Sequence, residues 1–401
     1  MYTQEKKDMN RDINIEDFFD TAREVALSYG FESLDEAIKA SKTKKRKVRS
    51  INSLKGRTPA QTEIGYALRH YLENQFDKTE EPIFTFFSNI DKNTSKYISS
   101  SKIPKNANFT VAVLGQEIPF SEALLISCTK RITEEVYKDK NLRININSIG
   151  DKPSFTRFSQ EFKHYFRKKM CVAPEECIRL FNNNPVDAYK YIQENEKCEE
   201  IKENTPSPMK YLSNQSKKHF SSILEYLEEN KIPYHLSNDL IEHPQYCCHS
   251  VYEIKNQRNE TLATGYRCDP LSNLLYRRQV PGAYMTITIN EKTLGTYDKK
   301  KRNRKSKVFL IHSGDTPRQK ALSILNQLRE EKVPVDHKLH MNTVDEQIKY
   351  SEKGKYPFLL IIGVQEIRDG KARVRNTINQ KQELIEIDKI PNFLKRIRNL
   401  H

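Results

Sequence analysis

His235, His243 and His249 fall close to the adjacent pair Cys247-Cys248, residue types that could build a nucleophilic centre or hold a metal. Their spacing matches no ligand pattern, because zinc sites draw cysteines and histidines from short fixed intervals. Cys171, Cys177 and Cys198 are just as irregular, Cys128 sits in an apolar helical run, and Cys268 stands by itself. All seven read as buried or incidental thiols, and no metal is expected. A P-loop, an HExxH helix and a GxSxG elbow are missing from the sequence. His70, His164 and His219 lie in helical stretches, where a surface or hydrogen-bonded core position is the ordinary role. What remains is charge. Lys44 to Arg49 (KKRKVR) is one basic run, and Lys299 to Lys307 (KKKRNRKSK) is a second with seven cations in nine residues. Such runs grip a polyanionic backbone without reading its sequence.

The elements around these residues follow from periodicity. Phe18, Phe19, Ala22, Val25, Ala26 and Tyr29 recur at helical spacing across residues 15–29, and Gly30 can take the left-handed conformation that closes such a helix. Thr58-Pro59 opens a second helix through Leu72, with threonine as N-cap and proline in the first turn. Residues 83–87, 109–114 and 142–146 read as strands, 122–137 as a helix, and 155–230 as mainly helical between prolines. Further strands are expected at 250–255 and 284–290. Antiparallel strands with inserted helices predict an α+β body rather than a doubly wound sheet.

The basic run 299–307 repels itself and should stay extended. It divides the chain into a core of residues 1–298, a linker of 299–307 and a module of 308–401. The module reads βαβαββα. Its strands are expected at 308–311, 333–339, 358–362, 372–376 and 383–387, with helices at 343–351 and 388–400. One more helix is opened by Thr316-Pro317 and carries Ala321, Leu325 and Leu328 on one face.

A chain of 401 residues with 36% hydrophobic content can bury a sizeable core. Its formal net charge of +15 favours a polyanionic partner. An anionic membrane would also attract it, but no basic amphipathic helix with large apolar residues opposite is evident, so nucleic acid is the expected partner. Residues 1–12 lack the apolar core of a secretory signal, and the longest apolar run, Phe358 to Ile362, is far too short to cross a bilayer. The expected location is cytoplasmic, with reduced thiols.

The segments Leu142 to Gly150, Asn184 to Lys190 and Pro206 to Phe220, in that order, resemble the histidyl-tRNA synthetase family of class II aminoacyl-tRNA synthetases. LRININSIG at Leu142 to Gly150 is similar to the family's strand and "NSLG" turn. Asn184-Pro185 through Lys190 resembles its "NPLRxLDxK" segment, and Pro206 to Phe220 its "APxIxDYLxxxxxxHF" stretch. Ala22 to Leu34 resembles motif 1, Ile83 to Gly115 covers the place of motif 2, and Gly282 to Leu294 resembles motif 3. The resemblance spans nearly the whole chain. It implies a class II antiparallel sheet with helices, followed by a small α/β anticodon-binding domain, and a homodimer built partly on motif 1.

It also implies where chemistry should sit. Activating histidine means holding ATP and histidine in line while charge builds on a phosphate, work for rigid arginine forks. The family supplies one arginine each in motif 2, motif 3 and the "LVRGLDYY" histidine loop. The motif 2 region here, FTFFSNIDKNTSKYISSSKIPKNANFT, contains no arginine; Lys92 or Lys96 offers charge without a fork. Lys292 takes the motif 3 position. Glu242 takes the arginine's place in the histidine loop, replacing attraction by a repulsion of roughly several kcal/mol at close range. Of the paired tyrosines only Tyr246 remains. Arg267 and Asp269 fall on the arginine and aspartate of "GGRYDGL", with Tyr266 in place of a glycine, and pairing of the two charges with each other is the simpler role.

The module resembles the anticodon-binding domain of the histidine, glycine, threonine and proline enzymes. There the resemblance implies RNA contacts from Gln365, Glu366, Arg368, Lys371, Arg373 and Arg375, whose guanidinium planes suit unstacked bases and phosphates. Arg302, Arg304 and Lys305 in the linker would add backbone grip. The expected function is therefore a histidyl-tRNA synthetase-like protein, impaired in histidine activation, that binds tRNA or a tRNA-like RNA. A divergent active ligase using ATP and Mg²⁺, or a regulatory subunit with a vestigial histidine pocket, are the alternatives.

Overall fold

The computed structural model describes residues 11–12, 15–41, 45–52, 58–79, 82–88, 106–290, 296–297 and 306–399. Two sheets organise them in an α+β arrangement. The larger has eight strands in the order 32–33, 83–88, 106–114, 282–290, 261–267, 248–255, 143–150 and 235–236. Its six long strands pair antiparallel, and the two-residue strands at the edges pair parallel.

Strand alternation gives this sheet two buried faces. In Asn106–Leu114, Phe109, Val111 and Val113 point to one side and Ala112 and Leu114 to the other. The first face is covered by helices Ile15–Ser28, Pro119–Tyr137 and Asn214–Glu229. The second is covered by Pro59–Glu73, Lys152–Lys169, Glu175–Asn183, Pro185–Glu194 and Asp269–Tyr276. Phe109, Phe120, Phe162 and Phe166 are each almost wholly buried, and each such ring contributes about 1.5–3 kcal/mol through area removed from water.

Local signals set the helix ends. Thr58 and Gln61 form a reciprocal capping box at the start of Pro59–Glu73. Helix Ile15–Ser28 closes at Gly30, where φ is +82° and Phe31 N–H returns to Ala26 O at 3.1 Å.

The second sheet runs 336–337, 308–312, 358–362, 371–376 and 382–386, parallel among the first three and antiparallel thereafter. Helix Asp315–Glu330 buries Leu322, Leu325 and Leu328 in the same apolar cluster as Phe18 and Ile126 of the body, so the two sheets share one core. Phe84 and His340 stack across the joint with ring centres 4.5 Å apart, and Lys320 pairs with Glu229 at 3.1 Å.

Several elements depart from the sequence reading. The helix expected to open at Thr316-Pro317 begins at Asp315 after Gly314, whose φ of +94° makes the turn instead of a side-chain cap. The strand expected over 333–339 shrinks to Asp336–His337, because Pro334 has no N–H for the ladder. Strand Arg143–Gly150 runs on past Ile146. Strand Thr261–Arg267 and helix Asp269–Tyr276 occupy a stretch to which the sequence reading gave no element, since TLATGYR holds a glycine and few bulky β-formers. A short helix, Val364–Arg368, precedes the last hairpin.

Candidate functional site

Residues 237–247, which the sequence reading sets against a histidine loop, lie between the edge strand His235–Leu236 and strand Cys248–Lys255. Glu242 is half-buried there. Its carboxylate takes Lys190 Nζ at 3.3 Å and its own neighbour's N–H, that of His243, at 2.8 Å. Lys190 comes from helix Pro185–Glu194, so the loop is tied to the helical layer by an ion pair. Tyr246 is also half-buried, with its ring 5.5 Å from His243. Burial lowers the His243 pKa, outweighing the opposite pull of Glu242 and Asp187.

Beside the loop, Tyr266 is 7% exposed and packs edge-on against Tyr284, ring centres 4.9 Å apart. Burial pushes both phenols up, and the nearby Glu242 charge adds to it, so both stay protonated. Gly265 leaves no room for a side chain, as a Cβ there would lie 2.1 Å from Tyr284 O. The same face carries a buried polar set that sequence reasoning missed. Glu63 accepts Asn108 Nδ2 at 2.9 Å and Thr110 Oγ1 at 3.0 Å, and Thr110 meets Thr286 at 2.9 Å. Its signal was available: alternating polar residues within strongly apolar strands.

Arg267 points to the opposite face. Its Nε donates to Asp269 Oδ2 at 3.0 Å, and Nη1 reaches Glu117 O at 3.3 Å and Glu122 Oε2 at 3.5 Å. Asp269 in turn accepts Gly282 N–H at 2.8 Å. Glu122, wholly buried on helix Pro119–Tyr137, also takes His219 Nε2 at 2.6 Å and the Ser250 hydroxyl. Burial alone would raise the Glu122 pKa, but His219, then Arg267 and Ser250, outweigh it and hold it at about 2. Burial raises the Asp269 carboxyl despite Arg267. His249, its ring tilted 36° to that of His219 with centres 5.1 Å apart, sits at a φ of +55° where both neighbouring ladders slip, and burial with His219 and Arg267 lowers its pKa to about 4.

The structure thus brings Arg267 and Asp269 together, as an internal pair, and places Glu242 and Tyr246 in one loop elsewhere. His219, expected at a surface or hydrogen-bonded core position, takes the latter; Glu122 and Ser250 were not singled out from the sequence, and an acid inside the apolar run PFSEALLISC was the available clue. Lys92, Lys292, Arg302, Arg304 and Lys305 lie outside the described residues. Among the described residues no group of three or more His, Cys, Asp or Glu side chains converges as a metal cage, and no helix is long and apolar enough to cross a membrane.

In the module, Lys371, Arg373 and Arg375 alternate with buried Ala372 and Val374, so the three cations share the outer face of strand Lys371–Asn376. Arg373 forks onto Glu366 Oε1 at 2.9 and 3.1 Å and reaches Gln382 at 3.3 Å. Arg375 bonds only the neutral Gln380 among the described residues. Gln365 donates to Asp369 at 3.2 Å, and Arg368 ends the short helix beside them. Ile378 is 81% exposed at the hairpin tip, an apolar side chain beside a cationic strip.

Comparison with known proteins finds likenesses along most of the chain. Residues 307–397 match the anticodon binding domain family. The histidine–tRNA ligase of Caldicellulosiruptor bescii is 26% identical over 297 residues, which is 72% of this chain and 69% of that protein. That of Clostridium novyi is 24% identical over 336 residues, 82% of this chain and 79% of its own. A crystal structure of apo S. aureus histidyl-tRNA synthetase aligns over 98% of this chain and 100% of its own, with 19% identity and a TM-score of 0.47. Over most of its length, then, the chain is similar to histidine–tRNA ligases, with an anticodon binding domain match confined to residues 307–397.

Proposed function

We propose that this protein binds tRNA or a tRNA-like RNA through its anticodon-binding module and is impaired in, or has lost, histidine activation. The observation that carries the reading is the Glu242–Lys190 ion pair in the loop where the family places an arginine. A triphosphate needs a free cationic fork beside its α-phosphate. Here Glu242 contributes negative charge, Arg267 is committed to Glu122 and Asp269, and Tyr266 occupies space beside Tyr284. The described residues therefore fit ATP and Mg²⁺ poorly.

RNA binding rests on the matched module, the outward strip of Lys371, Arg373 and Arg375, and the +15 net charge. Arg302, Arg304 and Lys305 would add non-specific grip. The reading includes a cytoplasmic homodimer with a core of 1–298, a linker of 299–307 and a module of 308–401.

Histidine-dependent ATP–pyrophosphate exchange by the purified chain, beside an active synthetase, tests it. No exchange together with saturable tRNA binding is the expected result. Clear exchange would establish the divergent active ligase instead, and neither exchange nor tRNA binding would leave a regulatory subunit.

A further inference from the structure

Where the module meets the body there is a cavity of about 390 Å³, lined by Tyr29, helix Pro119–Tyr137, the turn at 230–232 and helix Asp315–Glu330. Its size is in the range of small-ligand sites, and junctions between structural units are where such sites recur. Its chemistry centres on Arg329. The guanidinium carbon lies 3.7 Å from the centre of the Tyr29 ring. Nη1 donates to Asn326 Oδ1 at 2.8 Å, and Nη2 lies 2.6 Å from Ser28 O and 2.9 Å from His337 Nε2.

Every one of these partners is neutral. Burial first, then Arg329 itself, drives the His337 pKa far below its usual value, so that ring remains uncharged. Arg329 forms no ion pair with a carboxylate among the described residues, and burial lowers its own pKa. A half-buried cation balanced only by dipoles and an aromatic face has unmet demand for an anion. The cavity gives an anion access to it.

The neighbouring charges sharpen the reading. Lys130 and Arg131 are already neutralised by Glu134 and Glu135. Lys231, exposed at a φ of +54°, enters no ion pair among the described residues and supplies a second cation. Glu330 and Asp388 are exposed lining residues, and their carboxylates oppose large or highly charged anions. We propose that this cavity binds a small carboxylate- or phosphate-bearing molecule, its oxyanion held by Arg329 and Lys231. Such a ligand touches body and module together, so its binding strengthens their docking. The proposal is independent of whether histidine is activated.

Isothermal titration of the full chain at constant ionic strength, with inorganic phosphate in one arm and succinate in the other, tests it. Saturable one-to-one binding of either probe is expected, and the arm that responds identifies the source of the oxyanion. R329M should weaken that binding roughly tenfold or more, by loss of a charge-assisted fork. K231A, at an exposed position that does not hold the module in place, should weaken it severalfold. Absence of saturable binding in both arms overturns the proposal. So does a dissociation constant unchanged in K231A and in folded R329M.

Discussion

Arg267 Nη1 stands 3.5 Å from Glu122 Oε2, joining the end of one strand to a carboxylate buried under the sheet. The same carboxylate holds His219, so a single acid anchors two basic groups from different elements. Removing it strands Arg267 without one of its two carboxylate partners. E122A is expected to lose about 3–5 kcal/mol of stability at pH 7, as for other broken buried pairs. Urea denaturation measures this, and a loss under 1 kcal/mol would show the network to be incidental. The folded pKa is depressed from 4.5 to about 2, so the contribution is complete above about pH 4.5. It disappears as pH falls from there towards 2, and the variant should lack that component.

The joint between body and module should also respond to acid. His340, stacked on Phe84, has its pKa lowered to about 3 by burial, then by Lys338, Arg318 and His312. Undocking removes the Phe84 side of that burial while Lys338, Arg318 and His312 stay with the module, so the released ring lies between about 3 and its ordinary 6.5 and binds the proton more readily than the docked one. Docking is fully favoured above about pH 6.5 and weakens as pH falls from there towards 3. In H340F this component of the pH dependence should vanish. Small-angle scattering across pH 4–8 gives the readout; an identical profile for both proteins would refute the assignment.

Gly265 lies opposite Tyr252 in the sheet, and a Cβ there would meet Tyr284 O at 2.1 Å and Met285 Cγ at 2.6 Å. Backbone cannot retreat as a flexible side chain can. G265A is therefore expected to cost about 1–3 kcal/mol or more through overpacking. Thermal unfolding of the purified variant checks it, and wild-type stability would mean the strands separate more easily than their ladder implies.

Arg373 and Arg375 share one strand face but differ in their neighbours. Arg373 is forked onto Glu366, whereas Arg375 faces the neutral Gln380. A phosphate must compete with Glu366 for the first and with nothing charged for the second. R375A should weaken tRNA binding more than R373A and lower the slope of log K against log salt by about one. Filter binding at several salt concentrations would show it, and the reverse order would place the RNA elsewhere.

Much of this fold was readable from residue pattern. The N-cap at Thr58, the left-handed Gly30 and the apolar strand at 109–114 each state their geometry locally. Strand Thr261–Arg267 did not, because its place is fixed by neighbours at Cys248–Lys255 and Gly282–Asn290 rather than by its own β propensity. At the candidate site, the Arg267–Asp269 pair was legible because the two residues are nearly adjacent. The partners Glu122 and Lys190 were not, since each lies about 50 residues or more from the residue it holds, and such contacts are set by topology.

The strand Asn106–Leu114 has a consequence for how the polypeptide is made. It is flanked by Ile83–Ser88, its close predecessor, and by Gly282–Asn290, so that Thr110 and Thr286 touch across 176 positions. Until Asn290 has left the ribosome, the first three strands present an open ladder of N–H and C=O groups with no companion. At roughly 5–20 residues per second, that interval lasts on the order of ten seconds or more. The nascent chain spends it as a sticky half-sheet, which makes this seam the point where chaperone dependence and misassembly during synthesis should concentrate.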